Sequence, residues 1–185
     1  IFIDDVDITN CDLKSLRSQM MIVTQETALI EGTLRENIDV RLKDRSRDAE
    51  VVEILNKLEY ANPNFREKGL DMHVAADGTN LSAGERQLIS FARTMLDKKK
   101  ILVLDEATAC IDLRTEEKIQ QCIESEFKGV TMVIIAHRLQ TIMGCDRILV
   151  LERGRMVDFD SPANLSAQKD SYFAKIVEKM KEHAN

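Results

Sequence analysis

The 185 residues carry 26 Lys and Arg against 32 Asp and Glu, a net charge of −6, with 44% hydrophobic and 4% aromatic residues. That composition can bury the core of one domain, or of one domain with a subdomain, and its acidic balance with few stacking platforms argues against nucleic acid as the partner. The four cysteines, Cys11, Cys110, Cys122 and Cys145, form no C-x-x-C pair, which speaks against a zinc knuckle or a disulfide framework, and no apolar run reads as a bilayer span or signal peptide.

In chain order, Ile1–Ile3, Val6–Ile8 and Met20–Thr24 read as short strands, separated by Asp4-Asp5 and by the polar run Thr9–Leu13, with Gln25 at a strand exit. Residues 1–30 are therefore expected to be the remainder of a small β-rich subdomain. From Glu31 the pattern turns helical and charged. Val51, Val52, Leu55 and Leu58 recur at helical spacing, and Asn62-Pro63-Asn64 breaks the run, so residues 31–97 are expected to form a helical subdomain. Ser82 opens its last helix, with Leu88, Phe91, Ala92, Met95 and Leu96 on one face and Ser82-x-x-Glu85 matching a capping box.

After Lys98-Lys99-Lys100, two apolar stretches, Ile101–Leu104 and Val130–Ile135, read as buried strands joined by a helix with Ile119, Cys122, Ile123 and Phe127 on its apolar side. This is the βαβ order of a parallel sheet. Asp105, Glu106 and His137 follow the strands' C-terminal ends, where open α/β sheets collect ligands, and are expected to face one crevice. Ile148–Leu151 and Met156–Phe159 flank Glu152-Arg153-Gly154-Arg155 as a hairpin with a four-residue turn, closing a segment 98–165. Ser161-Pro162 then precedes an amphipathic C-terminal helix, within 166–185, that presents Phe173, Ile176, Val177 and Met180.

Several of these groups suit phosphate chemistry, and each also has a plain structural reading. Asp105 and Glu106 emerge from an anchored strand in different directions, so one carboxylate can hold magnesium through its water shell while the other polarises a water; either could instead cap the following turn. Ser82-x-x-Glu85 needs no ligand as a capping box. Gly84, however, costs helix stability relative to alanine and is better explained if a phosphate approaches the free N–H groups of the helix start. His137 could brace a terminal phosphate or be an ordinary solvated histidine. Gln25 could orient a water or add an oxygen to magnesium, or be a polar loop residue.

Taken in order, the motifs resemble the ATP-binding cassette across nearly the whole chain. Met21-Ile22-Val23-Thr24-Gln25 resembles the Q-loop, Leu81-Ser82-Ala83-Gly84-Glu85 the signature sequence, and Leu102–Asp105 with Glu106 the Walker B strand and catalytic glutamate. Ala109-Cys110-Ile111-Asp112 resembles the D-loop and Ile135-Ala136-His137-Arg138 the switch histidine. Leu13–Gln19 and Gly32–Asp39 are similar to exporter cassettes. Asn80–Leu88 and the approach from Leu70-Asp71 are similar to the second nucleotide-binding domain of subfamily C, the multidrug-resistance-associated type.

The resemblance implies a P-loop NTPase-type α/β fold: a mainly parallel sheet with flanking helices, a helical signature subdomain and the remnant of an antiparallel β subdomain. It also implies ATP and Mg²⁺ as ligands, with Glu106 polarising the lytic water, Asp105 and Gln25 at the metal, Gln25 sensing the γ-phosphate and His137 bracing it. Leu81, Ser82, Ala83, Gly84 and Glu85 would reach ATP held by a second nucleotide-binding domain, and Asp112 would connect the two sites. The further partners are the transmembrane domains of an exporter, with this segment soluble at the membrane's cytosolic face. Alternatives are a soluble ABC-type ATPase without membrane domains and a non-catalytic module that lends its signature to a partner.

Departures from the family pattern are Ala83 and Glu85 in the signature, Thr24 where proline is common, and Ala76 where exporters often carry a glutamate. None of the seven glycines opens a G-x-x-x-x-G-K-[ST] loop, the Walker A cradle for the β- and γ-phosphates. The chain is accordingly expected to be a C-terminal fragment of a larger transporter, inactive alone.

Overall fold

Three short aliphatic runs set the architecture. In the computed structural model, which describes residues 1–40, 45–107, 111–136, 138–168 and 170–182 apart from the side chains of 113, 181 and 182, the chain divides into two units, Ile1–Ile135 and Ala136–Asn185. The first runs β1 (Phe2–Ile3), β2 (Val6–Asp7), α1 (Leu13–Ser18), β3 (Met20–Val23), β4 (Gly32–Thr33), α2 (Leu34–Ile38), α3 (Asp48–Lys57), α4 (Pro63–Lys68), β5 (His73–Val74), α5 (Ala83–Leu96), β6 (Ile101–Asp105), α6 (Leu113–Glu126) and β7 (Thr131–Ile135). β3, β6 and β7 form one parallel sheet in that order, with Met20 opposite Ile101 and Ile101 opposite Thr131. The mixed α/β class with a parallel sheet and flanking helices is as the sequence implied.

Parallel strands in register send alternate side chains to opposite faces. One face, with Val23, Leu102 and Leu104 fully buried and Met21, Met132 and Ile134 partly so, joins a core that includes Phe91 and Ala92 of α5 and Ile119 and Ile123 of α6. The other face leaves Ile22, Val133 and Ile135 about half exposed. The expectation of a strand buried throughout at 130–135 is therefore corrected: β7 is buried on one side only, because the helices of this unit pack on one face of the sheet. Val130 also precedes the strand rather than starting it.

Other elements sharpen or depart from the sequence reading. β3 lies beside β6 rather than with the β1–β2 hairpin, and 13–18 is a helix whose start is capped by Asp12, which accepts from the Ser15 N–H at 2.8 Å. Leu34, Ile38, Val51, Leu55 and Leu58 from α2, α3 and the turn after it share one continuous core with the sheet. On its surface Arg35 of α2 grips Asp48 of α3 with two hydrogen bonds of 2.7 and 2.8 Å and also donates to Asp71, which Arg45 reaches at 3.3 Å.

In the second unit, α7 (Leu139–Met143) is followed by β8 (Ile148–Glu152) and β9 (Arg155–Asp160), an antiparallel hairpin. Glu152 and Arg155 pair as the last residues of the strands, so the expected four-residue turn is corrected to two, Arg153-Gly154, both at positive φ (49° and 76°), the turn geometry that matches strand twist. α8 (Pro162–Ala167) and α9 (Tyr172–Glu182) follow. Ser161 caps α8, and Ile148, Val150, Leu165 and Phe173 form this unit's own small core.

Hydrogen bonds from Arg35 hold the Asp48 and Asp71 carboxyls below the ordinary carboxylate range. A group with a depressed folded pKa contributes stability that is fully present above its unfolded value of about 3.9 and is lost as pH falls through the folded value. Urea unfolding followed from about pH 5 downward is expected to show an acid loss of stability starting near that unfolded value, and a smaller acid loss in Arg35→Met.

Candidate functional site

The pairing of β3 with β6 ends at Val23 and Leu104, so the residues that follow in both strands come out at the same edge of the sheet. After β3, the Thr24 hydroxyl donates to the Glu26 carbonyl at 2.7 Å, a brace across the turn that carries the exposed Gln25. Thr24 thus stabilises locally a position where the family commonly has proline. After β6, Asp105 is still paired with Ile135 and is exposed, whereas Glu106 has φ of 49° and donates its N–H to the Ile135 carbonyl at 3.0 Å. A left-handed non-glycine residue costs about 1–2 kcal/mol, and such strain is characteristic of sites that need a side chain aimed off the regular path.

Gln25 and Glu106 line one cavity of about 660 Å³, together with Asp77, Ala83, Arg86 and Gln87. The structure therefore brings together Gln25, Glu106 and the first turn of the signature helix. Asp105 stands at the strand end next to Glu106. His137, Ala109 and Cys110 lie outside the described residues. Among the described residues no group of three or more His, Cys, Asp and Glu side chains is arranged to hold a metal. The donors at hand are two carboxylates and an amide oxygen, hard oxygen ligands few in number, which fits an ion such as Mg²⁺ that keeps most of its waters and shares phosphate oxygens.

At the signature turn the capping box is complete. Ser82 donates its N–H to Glu85 Oε2 at 2.7 Å, and the Glu85 N–H donates to Ser82 Oγ at 3.2 Å. The other Glu85 oxygen accepts from the Asn62 amide, and Asn62 Oδ1 itself caps α4 by accepting from the N–H groups of Asn64 and Phe65 at 2.8 and 3.4 Å. Both oxygens of the extra carboxylate are thus held by N–H donors of this chain. Leu81 is buried at the approach, and the Arg86 guanidinium donates to its carbonyl at 2.7 Å.

Two glycines near this turn differ in what they allow. At Gly78, φ is +65° and a Cβ would lie 2.5 Å from Leu29 Cδ1 and 3.0 Å from Arg86 Cδ, so the fold itself requires glycine. At Gly84 a Cβ would meet Asp112 Oδ2 and Thr115 only at 3.7 Å, ordinary contact, and φ is not positive. Nothing in this chain demands that glycine. Asp112, beside it, caps α6: its carboxylate accepts from the Thr115 N–H at 3.0 Å and hydroxyl at 2.8 Å, and these bonds hold its pKa below the ordinary range.

Sequence reading missed Thr27 and Arg93 and the bonding roles of Asn62 and Gln87. Asn62 looked like a helix breaker and is also a donor to the signature. Gln87 lies four residues before Phe91, on the apolar stripe of α5, and a polar residue on such a stripe was the signal that could have marked it.

The family sequence model described as "ABC transporter" matches residues 1–109. The chain is 42% identical over its full length to a putative ABC transporter C family member 15 of Arabidopsis thaliana, of which it covers 18%, and 42% identical to ABC transporter C family member 9 of the same plant, of which it covers 12%. It is also 39% identical, over 97% of its length, to bile pigment transporter 1 of Saccharomyces cerevisiae, again covering 12% of that protein. Among solved structures, a bacterial Atm1-family ABC exporter with ATP bound superposes with a TM-score of 0.86 at 35% identity, covering 97% of this chain and 31% of that one. This chain belongs to the ABC transporter family. Its likeness to C family members matches the subfamily resemblance of its signature region, and it spans less than a fifth of the length of these curated relatives.

Gly84→Ala is expected to leave the fold intact and to raise stability by about 0.5–1 kcal/mol, the ordinary gain of alanine over glycine in a helix. Urea unfolding monitored by circular dichroism measures it.

Proposed function

We propose that this chain is the ATP-binding and hydrolysing part of an exporter, working at the cytosolic face of a membrane with transmembrane domains and a second nucleotide-binding domain as partners. The observation that carries the reading is the meeting of Gln25 and Glu106 on one cavity wall, just past the last β3–β6 pair, Val23 and Leu104. Family membership and the likeness to an exporter with ATP bound support it.

In this reading the Glu106 carboxylate accepts the proton of the water that attacks the γ-phosphate, and the Gln25 amide orients that water. Asp105 and Gln25 would hold Mg²⁺ through its water shell; when bound, the ion supplies charge neutralisation at the phosphate oxygens. His137 would donate a hydrogen bond to the γ-phosphate. The Ser82 hydroxyl and the free N–H groups at the start of α5 would face a triphosphate held by the second domain, with Gly84 leaving room for it. Leu81, Ala83 and Glu85 shape that turn, and Asp112, alongside Gly84, links it to the start of α6. ATP contacts made only when the two domains close would bias the assembly toward the closed state, and hydrolysis would release it.

Glu106→Gln in the full-length protein is expected to lower MgATP turnover by about 10²–10⁴-fold, the usual worth of a general base, while ATP binding measured by equilibrium dialysis persists. Wild-type turnover in that variant would exclude the assignment. The 185-residue chain alone, which has no G-x-x-x-x-G-K-[ST] loop, is expected to show no magnesium-dependent ATPase above background.

A further inference from the structure

Gln87 lies in the first half of α5 and is only 3% exposed. A buried amide is costly unless both its ends are hydrogen-bonded, and here both are. Its Oε1 accepts from the Thr27 hydroxyl at 2.9 Å, and its Nε2 donates to the Thr24 carbonyl at 3.4 Å. These two partners flank Gln25 and Glu26.

The rest of the loop 24–30 is fastened to the same helix. Arg93, further along α5, donates from Nη1 to the Ala28 carbonyl at 2.9 Å, from Nη2 to Asn37 Oδ1 at 3.3 Å, and from Nε to the Asn37 carbonyl. The fully buried Asn37 side chain in turn accepts from the Ile30 N–H and donates to the Ile30 carbonyl, each at 2.9 Å. Leu29, 4% exposed, packs against Gly78 beside Arg86. Side chains of α5 and α2 thus hold the loop on both sides of Gln25, and α5 begins at the signature turn only a few residues before Gln87.

We infer that Gln87 is a positioning residue that sets the place of Gln25 by holding Thr24 and Thr27 on either side of it. The inference rests on the ATPase reading above, since that reading gives the placement of Gln25 a purpose. Gln87 itself touches no nucleotide. It acts through Thr24 and Thr27.

The test measures steady-state MgATP turnover of the full-length protein, per folded molecule, for wild type, Glu106→Gln, Gln87→Met, Thr27→Val and the Gln87→Met/Thr27→Val double variant. Urea unfolding of each variant supplies the folded fraction. Methionine matches glutamine in size and removes both hydrogen-bonding ends; Thr27→Val removes only the hydroxyl and serves if Gln87→Met does not fold. Gln87→Met is expected to lower kcat about tenfold with KM for ATP changed by less than about threefold, because misplacing a group by a fraction of an ångström slows the step more than it weakens binding. Thr27→Val is expected to lower kcat less, and the double variant to be no slower than Gln87→Met, since both changes cut one linkage. A merely structural role would leave turnover per folded molecule unchanged. Turnover by Gln87→Met within about twofold of wild type, or losses that multiply in the double variant, would overturn the inference. Should Glu106→Gln retain wild-type turnover, the ATPase reading falls and the inference with it; an inactive Glu106→Gln beside an unimpaired Gln87→Met removes the inference alone.

Discussion

The parallel pairing of β3 with β6 is the constraint on which the candidate site depends. Because Val23 and Leu104 are partners and both are locked into the core, the residues that follow them are delivered to the same place although they are some eighty positions apart in the chain. Both strands are aliphatic on both faces, so a one-residue slip in β6 would exchange Leu102 and Leu104 for Ile101 and Val103 and draw Asp105 towards the packed face, at the cost of disturbed packing and a buried carboxylate. The core thus specifies the register, and the register brings Gln25 and Glu106 to one wall. The strained backbone at Glu106 is sustained by the same arrangement, since its N–H is fastened to the end of β7.

Around that fixed edge the polar side chains join elements as well as capping them. Asn62 caps α4 and holds Glu85; Asn37 closes α2 and ties the loop before it; Arg35 joins α2 to α3 and to Asp71. Each is buried or half-buried, where a lost partner is expensive. The helical part of the chain is therefore stiffened by a few satisfied polar groups as well as by its share of the common core.

Much of this was legible in the residues, and the reasons for the rest are local. The helices of 83–96 and 113–126 announce themselves by apolar spacing and by Ser82 and Asp112 at their caps, and the hairpin around Arg153-Gly154 by its turn residues. The sequence order of Gln25, Ser82, Asp105 and Glu106 conveyed the family. The one-sided burial of β7 was hidden because four aliphatics in five residues read as a fully covered strand, and letters alone do not tell how many faces of a sheet are packed. The helix at 13–18 was hidden by its length, too short for a period to register, and the roles of Asn62 and Gln87 by the fact that each bonds to residues 23 to 63 positions away.

The carboxylate of Glu85 carries a lesson about reading electrostatics from a formula. Tallying ionised letters would place a repulsive unit beside the helix start, hostile to any anion arriving there. With one oxygen held by the Ser82 amide and the other by Asn62, the charge remains but is fixed in place against donors of its own chain, and an incoming anion meets it together with the opposing peptide dipoles of α5. Glutamine at this position would remove the charge and one of the two acceptors, so the acidic and neutral spellings differ both in the field at the helix start and in how firmly they tether Asn62.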